Sequence, residues 1–418
     1  MVKKVLRLPS GLKRLLFYLS VLGPGLITAS ADNDAPGIAT YSMAGSKYGY
    51  RFLWIILFVT FGEVIVQEMA ARMGAVTGKG AADLIRERFG VRITAFAMVC
   101  LLIGNLGTTL AQFAGVAAST ELLGVTRYIT VPLAALLVGF LVLRGSYDRV
   151  EKVLLLLCLA SLSYVVTAFI VKPNWGEVAR NTLLPTLLPD TEYILTALAT
   201  IGTTITPWGI FYMQASVADK GVRMDEYPLT RADVMVGAAW GNVVSGFIII
   251  TTAATLFKVG IRVDTAEQAA QALAPLAGDY ARYLFTIGML GASLLAASVL
   301  PLATAYAVCE AFGWERGLNQ KFEDAPIFYT IYLGFIIISV LVVLIPGLPL
   351  FRVMMLSQSL NAMLLPVLLV LIIKLVNDRR VMHSWANRSW QNVLAIILTV
   401  MISLVTLALF VLSFLGVA

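Results

Sequence analysis

The sequence predicts an all-α integral membrane protein of eleven transmembrane helices, built as an inverted repeat of five plus five with one extra helix. Three observations carry this. Of the 418 residues, 59% are hydrophobic and only 13% charged, with a mean hydropathy of +0.86, whereas water-soluble domains carry roughly 25% charged residues. The apolar residues come in runs of about 20, the length that crosses a hydrocarbon core about 30 Å thick, as in Val153–Ile170, Ile327–Ile345 and Val393–Leu412. Two of the spans, five helices apart, are interrupted in the same manner.

In order, the spans lie near 14–46, 50–75, 93–122, 128–143, 150–172, 191–219, 232–258, 277–312, 326–345, 350–376 and 391–416. The chain reads as a single transmembrane domain over 1–418, with repeats of about 14–172 and 191–376 and the extra helix at about 391–416. The first span, LGPGLITASADNDAPGIATYSMAGSKYGY, has a polar, Pro/Gly-rich interruption from Ala31 to Gly37. The sixth, ILTALATIGTTITPWGIFYMQASVADKG, is interrupted between Gly202 and Gly209. Pro36 and Pro207 each remove a backbone donor and neighbouring glycines relax the chain, so both helices should unwind at mid-membrane. Unsatisfied backbone groups in hydrocarbon cost several kcal/mol each and are tolerated only beside protein, water or an ion. Interrupted segments at matching positions of two halves are the mark of an inverted-repeat transporter with its site between the repeats.

The net charge of +7 reports topology rather than a nucleic-acid partner. Read against the spans, 22 of the 31 basic residues fall at the N-terminus or in every second loop, among them Arg72, Lys79, Arg86, Arg88, Arg92, Lys220, Arg223, Arg231, Arg316, Arg379, Arg380 and Arg388. The positive-inside rule puts that side in the cytoplasm. A multi-pass plasma-membrane protein is expected, monomeric, with the N-terminus cytoplasmic and the C-terminus outside; no cleavable signal peptide is evident. Cys100, Cys158 and Cys309 lie far apart in apolar runs and read as small core residues. The single histidine, His383, sits in a basic loop.

Asp32, Asn33 and Asp34 stand in a span otherwise free of charge between Arg14 and Lys47. An intramembrane carboxylate costs about 3 kcal/mol or more when unpaired, and no deep Lys or Arg is at hand to neutralise it. Its partner is therefore expected to be a cation in transit. The donors on offer are the carboxylates, the Asn33 amide, the hydroxyls of Thr203, Thr204 and Thr206, and freed carbonyls such as that of Ala31. An all-oxygen set suits Mg²⁺, Ca²⁺ or Mn²⁺ better than soft metals. Glu63, Gln67 and Glu68 of the second helix could line a pathway, although Glu68 and Arg72 also suit an i,i+4 pair. GAVTGKG lacks the spacing of a phosphate loop.

The stretch Gly23–Tyr50 resembles the first helix of the NRAMP divalent-metal transporters, whose motif there is DPGN, and TGKGAADLIRERFG at 77–90 resembles that family's loop after the second helix. The resemblance implies a LeuT/APC-type fold with a metal site at the two breaks. DPGN becomes Asp34-Ala35-Pro36-Gly37, which keeps the metal-binding aspartate and puts Gly37 where the family has a liganding asparagine. The sixth-helix pattern, an alanine followed three residues later by Met-Pro-His, becomes Thr203 through Thr206-Pro207-Trp208. The carbonyl role would fall to Thr203, with Thr206 in place of a thioether. Gln358, in LSQSLNAMLLP, matches a tenth-helix glutamine that approaches the ion when the outer gate closes.

A thioether favours transition metals over Mg²⁺ and Ca²⁺, and Mg²⁺ usually keeps several waters. A wider, all-oxygen pocket is thus most similar to the NRAMP-related magnesium transporters. The positions that hold proton-handling groups in the family are Thr109 and Gln112 on the third helix, and Trp208 and Gln214 on the sixth. No membrane-embedded histidine remains, so transport without obligatory proton coupling is expected. The expected cargo is Mg²⁺, with Mn²⁺ the second choice; no resident cofactor and no partner beyond the ion and the bilayer are implied. Three rivals stand beside this reading: a proton-coupled Mn²⁺/Fe²⁺ carrier, an amino-acid carrier of the same architecture, and a metal-sensing receptor that does not transport. Asp34 would repel an amino acid's carboxylate, and a receptor would need an output module, of which the residues flanking the bundle show no sign. With no nucleophile–base pair or zinc-ligand cluster visible, an enzyme is not expected.

Overall fold

Proline positions decide where two of the helices start. In the computed structural model, which describes residues 33–143, 159–188, 190–317 and 321–414, Pro36 lies in the first turn of helix α1 (Ala35–Tyr48). Pro207 is the first residue of α9 (Pro207–Asp219), directly after the break that ends α8 (Thr191–Thr204). A proline fits a first helical turn because that turn's N–H groups have no intrahelical acceptor. It also resists continuation of a helix from the N-terminal side, since it disfavours the α conformation in the residue before it, although Pro132, Pro301 and Pro366 are accommodated inside helices. Thr206, just ahead of Pro207, is accordingly extended (φ −87°, ψ 135°).

The other elements follow the sequence expectation closely. They are α2 (Leu53–Thr77), a short α3 (Ala81–Phe89), α4 (Val91–Glu121), α5 (Arg127–Leu143), α6 (Leu162–Val171), α7 (Trp175–Leu183), α10 (Tyr227–Thr255), α11 (Ala281–Phe312), α12 (Pro326–Val343), α13 (Leu350–Asn377) and α14 (Ser389–Phe414). Among the described residues there is no strand. The long helices are apolar enough to cross a bilayer, and the run 35–77 joins the end of the first expected span to the whole of the second. The first half of the first broken span, with Ala31 and Asp32, lies outside the described residues, as does Cys158. Cys100 and Cys309 are buried and free, and His383 is exposed, as expected.

Packing among the helices carries a pairwise symmetry. α1 packs on α10 as α9 packs on α2, and α4 packs on α12 as α11 packs on α5. These are the exchanges that an inverted repeat of five helices imposes. The longest shared faces, α4 with α11 and α4 with α13, put α4 beside both α1 and α9, the half-helices that follow the two breaks.

Close approach at the centre depends on two glycines. A Cβ on Gly202 of α8 would run into the Gln358 carbonyl and the Ala362 nitrogen of α13. A Cβ on Gly115 of α4 would run into Ala35, the first residue of α1. Small residues at helix crossings let backbones approach closely, the usual device where lipid offers no hydrophobic drive. At its far end α1 is tied to the start of α8 by the Lys47–Glu192 ion pair and by Tyr48, which stacks on Phe52 and meets Tyr193 edge-on. The helix α9 runs the other way, and Gln214 donates to the Lys79 carbonyl in the basic loop after α2 (3.1 Å).

Candidate cation site at the two helix breaks

Asp34 is the N-cap of α1. Its backbone is extended, and Oδ1 accepts from the Gly37 N–H at 2.9 Å. Aspartate is favoured there because its carboxylate satisfies an orphan amide at the positive end of the helix dipole. Oδ2 accepts from the side-chain amide of Gln112, which α4 brings across. Asp34 is 4% exposed, and the partners described for its carboxylate, the Gly37 and Gln112 amides, are neutral. Holding it this way fixes its place without cancelling its charge.

Across from it, α8 ends. In an unbroken helix the Thr203 carbonyl would accept from residue 207, and residue 207 is proline, which has no N–H. The C-terminal end of α8 therefore presents a freed carbonyl and negative dipole, while α1 presents its positive end to Asp34. The hydroxyls of Tyr41 and Thr204 meet at 2.9 Å and bind the two half-helices together beside the break. Two oxygens in this region, Gln112 Oε1 and Thr206 Oγ1, are buried and meet no hydrogen-bond partner among the described residues. Buried polar atoms are nearly always partnered, so both are ready acceptors for a cation.

Other expected site residues are placed differently. Gly37 lies in the first turn of α1 and gives its N–H to Asp34, so its amide supports the carboxylate. The Asn33 amide is turned to α10, donating to the Gly241 carbonyl (3.0 Å) and accepting from Ser245 (3.1 Å). Gln358 is fully buried on α13, donating to Ser357 and accepting from Asn361, whose amide also reaches Thr108 of α4 (2.6 Å). In this conformation its side chain bonds within its own helix, and Asn361 makes the link to α4. Glu63 accepts from Asn242 of α10 (2.5 Å), next to the Gly241 that holds Asn33. Trp208 is buried against Ala292, Leu295, Ala296 and Val299 of α11, an apolar setting. Among the described residues no three His, Cys, Asp or Glu side chains stand together.

The direct partner of Asp34, Gln112, is the residue that sequence reasoning treated only as a lost acid. Asn242 and Ser245 were missed altogether, because single amides and hydroxyls in apolar helices carry no spacing signal.

The family profile described as natural resistance-associated macrophage protein-like matches residues 25–412. The chain belongs to the Nramp family. Among Nramp relatives, the divalent metal cation transporter MntH of Clostridium acetobutylicum is 25% identical over 428 aligned positions, covering 98% of this chain and 95% of that protein. The MntH of Erwinia tasmaniensis is 30% identical over 284 positions, covering 66% and 68%. Of solved structures, a mutant of the Eremococcus coleocola manganese transporter superposes with a TM-score of 0.77, covering 96% of this chain and 88% of that one at 19% identity. A nucleobase-cation-symport-1 family transporter in a closed conformation superposes at 0.52 with 15% identity, covering 93% and 91%. These likenesses establish the broken-helix, LeuT-like fold, and as an Nramp protein the chain is a multi-pass membrane transporter and not an enzyme.

Proposed function

We propose that this Nramp chain takes up hard divalent cations, Mg²⁺ foremost and Mn²⁺ second, by alternating access around Asp34 and without obligatory proton coupling. Divalent cargo is supported by the relatives, which are named divalent metal cation transporters. The observation that carries the finer reading is the donor set: one carboxylate, Asp34, with the unpartnered oxygens of Gln112 and Thr206 and the freed Thr203 carbonyl. It holds no sulfur and no imidazole. Hard cations prefer such oxygens, and the neutral donors beside the carboxylate leave Mg²⁺ room to keep part of its water shell. Asp32 and the Ala31 carbonyl remain proposed contributors from the other side of the first break.

Proton uncoupling is supported by the neutral amide bound to the carboxylate and by the neutral residues at the family's other proton-handling positions. Gln112, Thr109 and Trp208 cannot carry a proton near neutral pH. The membrane potential then supplies the drive, about 4.6 kcal/mol for a double charge per 100 mV. In the proposed orientation the N-terminus and the basic loops are cytoplasmic and the C-terminus is outside.

Flux into proteoliposomes, with and without a pH gradient, tests the reading on the parent chain and on Asp34→Ala. Mg²⁺ should enter the parent, fail to enter Asp34→Ala, and leave lumenal pH unchanged. Normal transport by Asp34→Ala would sink the site, and lumenal acidification in step with the metal would sink the uncoupled mechanism.

A further inference from the structure

A second built site lies away from the helix breaks, at the end of the bundle that carries the basic loops. At that end Arg88 of α3 pairs with Asp378, just past α13. There α2, α10 and the segment leading into α14 enclose a cavity of about 240 Å³. Three arginines, Arg72, Arg231 and Arg388, line it against one carboxylate, Glu68. Its floor is rigid. Arg72 is 5% exposed, pairs with Glu68 (3.2 Å), and donates to the Trp385 carbonyl (2.7 Å) and to Asn387 (2.5 Å). Glu68 is further bound by Tyr227 (2.7 Å) and Gln391 (3.2 Å). The Glu68 charge is thereby held by Arg72 and by these buried donors, and Arg231 reaches it from the rim at 3.7 Å, which leaves the three arginines in excess of the one carboxylate. Among the described residues the buried Nε–H of Arg72 meets no acceptor.

The rim differs from the floor. Arg231 and Arg388 are exposed, and the indoles of Trp385 and Trp390 are 43% and 50% exposed. Half-exposed tryptophans beside arginines are the residue pattern of the membrane–water boundary. From Trp390 the outward face of α14 continues through Val393, Leu394 and Ile397, all exposed and apolar, as a surface for acyl chains.

We propose that this cavity binds the phosphodiester headgroup of an anionic glycerophospholipid in the leaflet beside the basic loops, with the lipid tails lying along α14. The cavity supplies a net positive wall for the phosphate, three arginines against one carboxylate, and the apolar face of α14 begins where the tails would leave it. A basic pocket between membrane helices is the usual form of such sites. The proposal holds whichever cation the protein carries.

Native mass spectrometry of the full chain, released from micelles doped with phosphatidylglycerol or phosphatidylcholine, tests it. The parent should retain phosphatidylglycerol preferentially, and Arg231→Gln/Arg388→Gln should lower that preference by roughly thirtyfold, the worth of two interfacial arginines. Lys220→Gln/Arg223→Gln removes equal charge from the same end outside the cavity and should keep the preference. Equal loss in both variants would mean bulk surface charge and overturns the proposal. So does an equal phosphatidylcholine count in the parent, and so does displacement of the lipid by millimolar inorganic phosphate, which would mark a site for a free anion.

Discussion

The contact between Gln112 and Asp34 decides how the proposed site differs from a proton-coupled one. An amide donates to the carboxylate and keeps a spare oxygen, whereas an acid at that position would share a proton with it. Gln112→Glu would set two carboxylates against each other, and such a pair holds a proton because both cannot ionise cheaply. Its metal uptake is expected to fall as pH drops, with proton movement appearing alongside the metal, both read by a lumenal pH dye. Thr206→Met places a soft sulfur where an unpartnered hydroxyl now sits. The expected result is a shift of the Mn²⁺:Mg²⁺ uptake ratio toward Mn²⁺ by about tenfold, equivalent to ~1.4 kcal/mol, measured by competitive flux. At this scale the sequence was legible where chemistry is rare: two carboxylates in a span otherwise free of charge marked the break, and the resemblance to the DPGN motif singled out Asp34. It was silent on Gln112 as a partner, since which neutral side chain faces a break depends on how α4 rotates against α1, and no periodicity records that.

Among the elements, the breaks were readable because proline acts locally: Pro207 strips a donor and restrains its predecessor whatever surrounds it. The occupants of the space beside each break were not, as with Gln358, which lies next to Gly202 yet bonds to Ser357 and Asn361. Gly202 is where α8 and α13 touch backbone to backbone. Gly202→Val should destabilise the bundle by about 1–3 kcal/mol, the usual cost of overpacking, seen as a lower melting temperature in detergent. It should also slow transport beyond what stability explains, because α13 would be pushed from the break. An unchanged melting temperature would mean that the two helices separate without cost.

For the whole molecule, the basic loops and the inverted repeat make a directional prediction. In proteoliposomes clamped with potassium and valinomycin, cation uptake should rise with an inside-negative potential and reverse when the potential is reversed. Accumulation indifferent to potential would point to electroneutral exchange instead. The five-plus-five arrangement was legible from two interrupted spans five helices apart, because symmetry needs only matching positions. The contacts that realise it, α1 on α10 and α9 on α2, required the structure.

One carboxylate oxygen of Asp34 closes the first turn of α1 through the Gly37 amide. Loading of the proposed site would thus be geared to the start of a helix. An ion that draws Oδ1 toward itself unlatches that amide, so occupancy becomes readable as the deuterium uptake of a single N–H. The same tug lends a passing cation a grip on α1 as a whole, a lever one residue long at the fulcrum of the bundle.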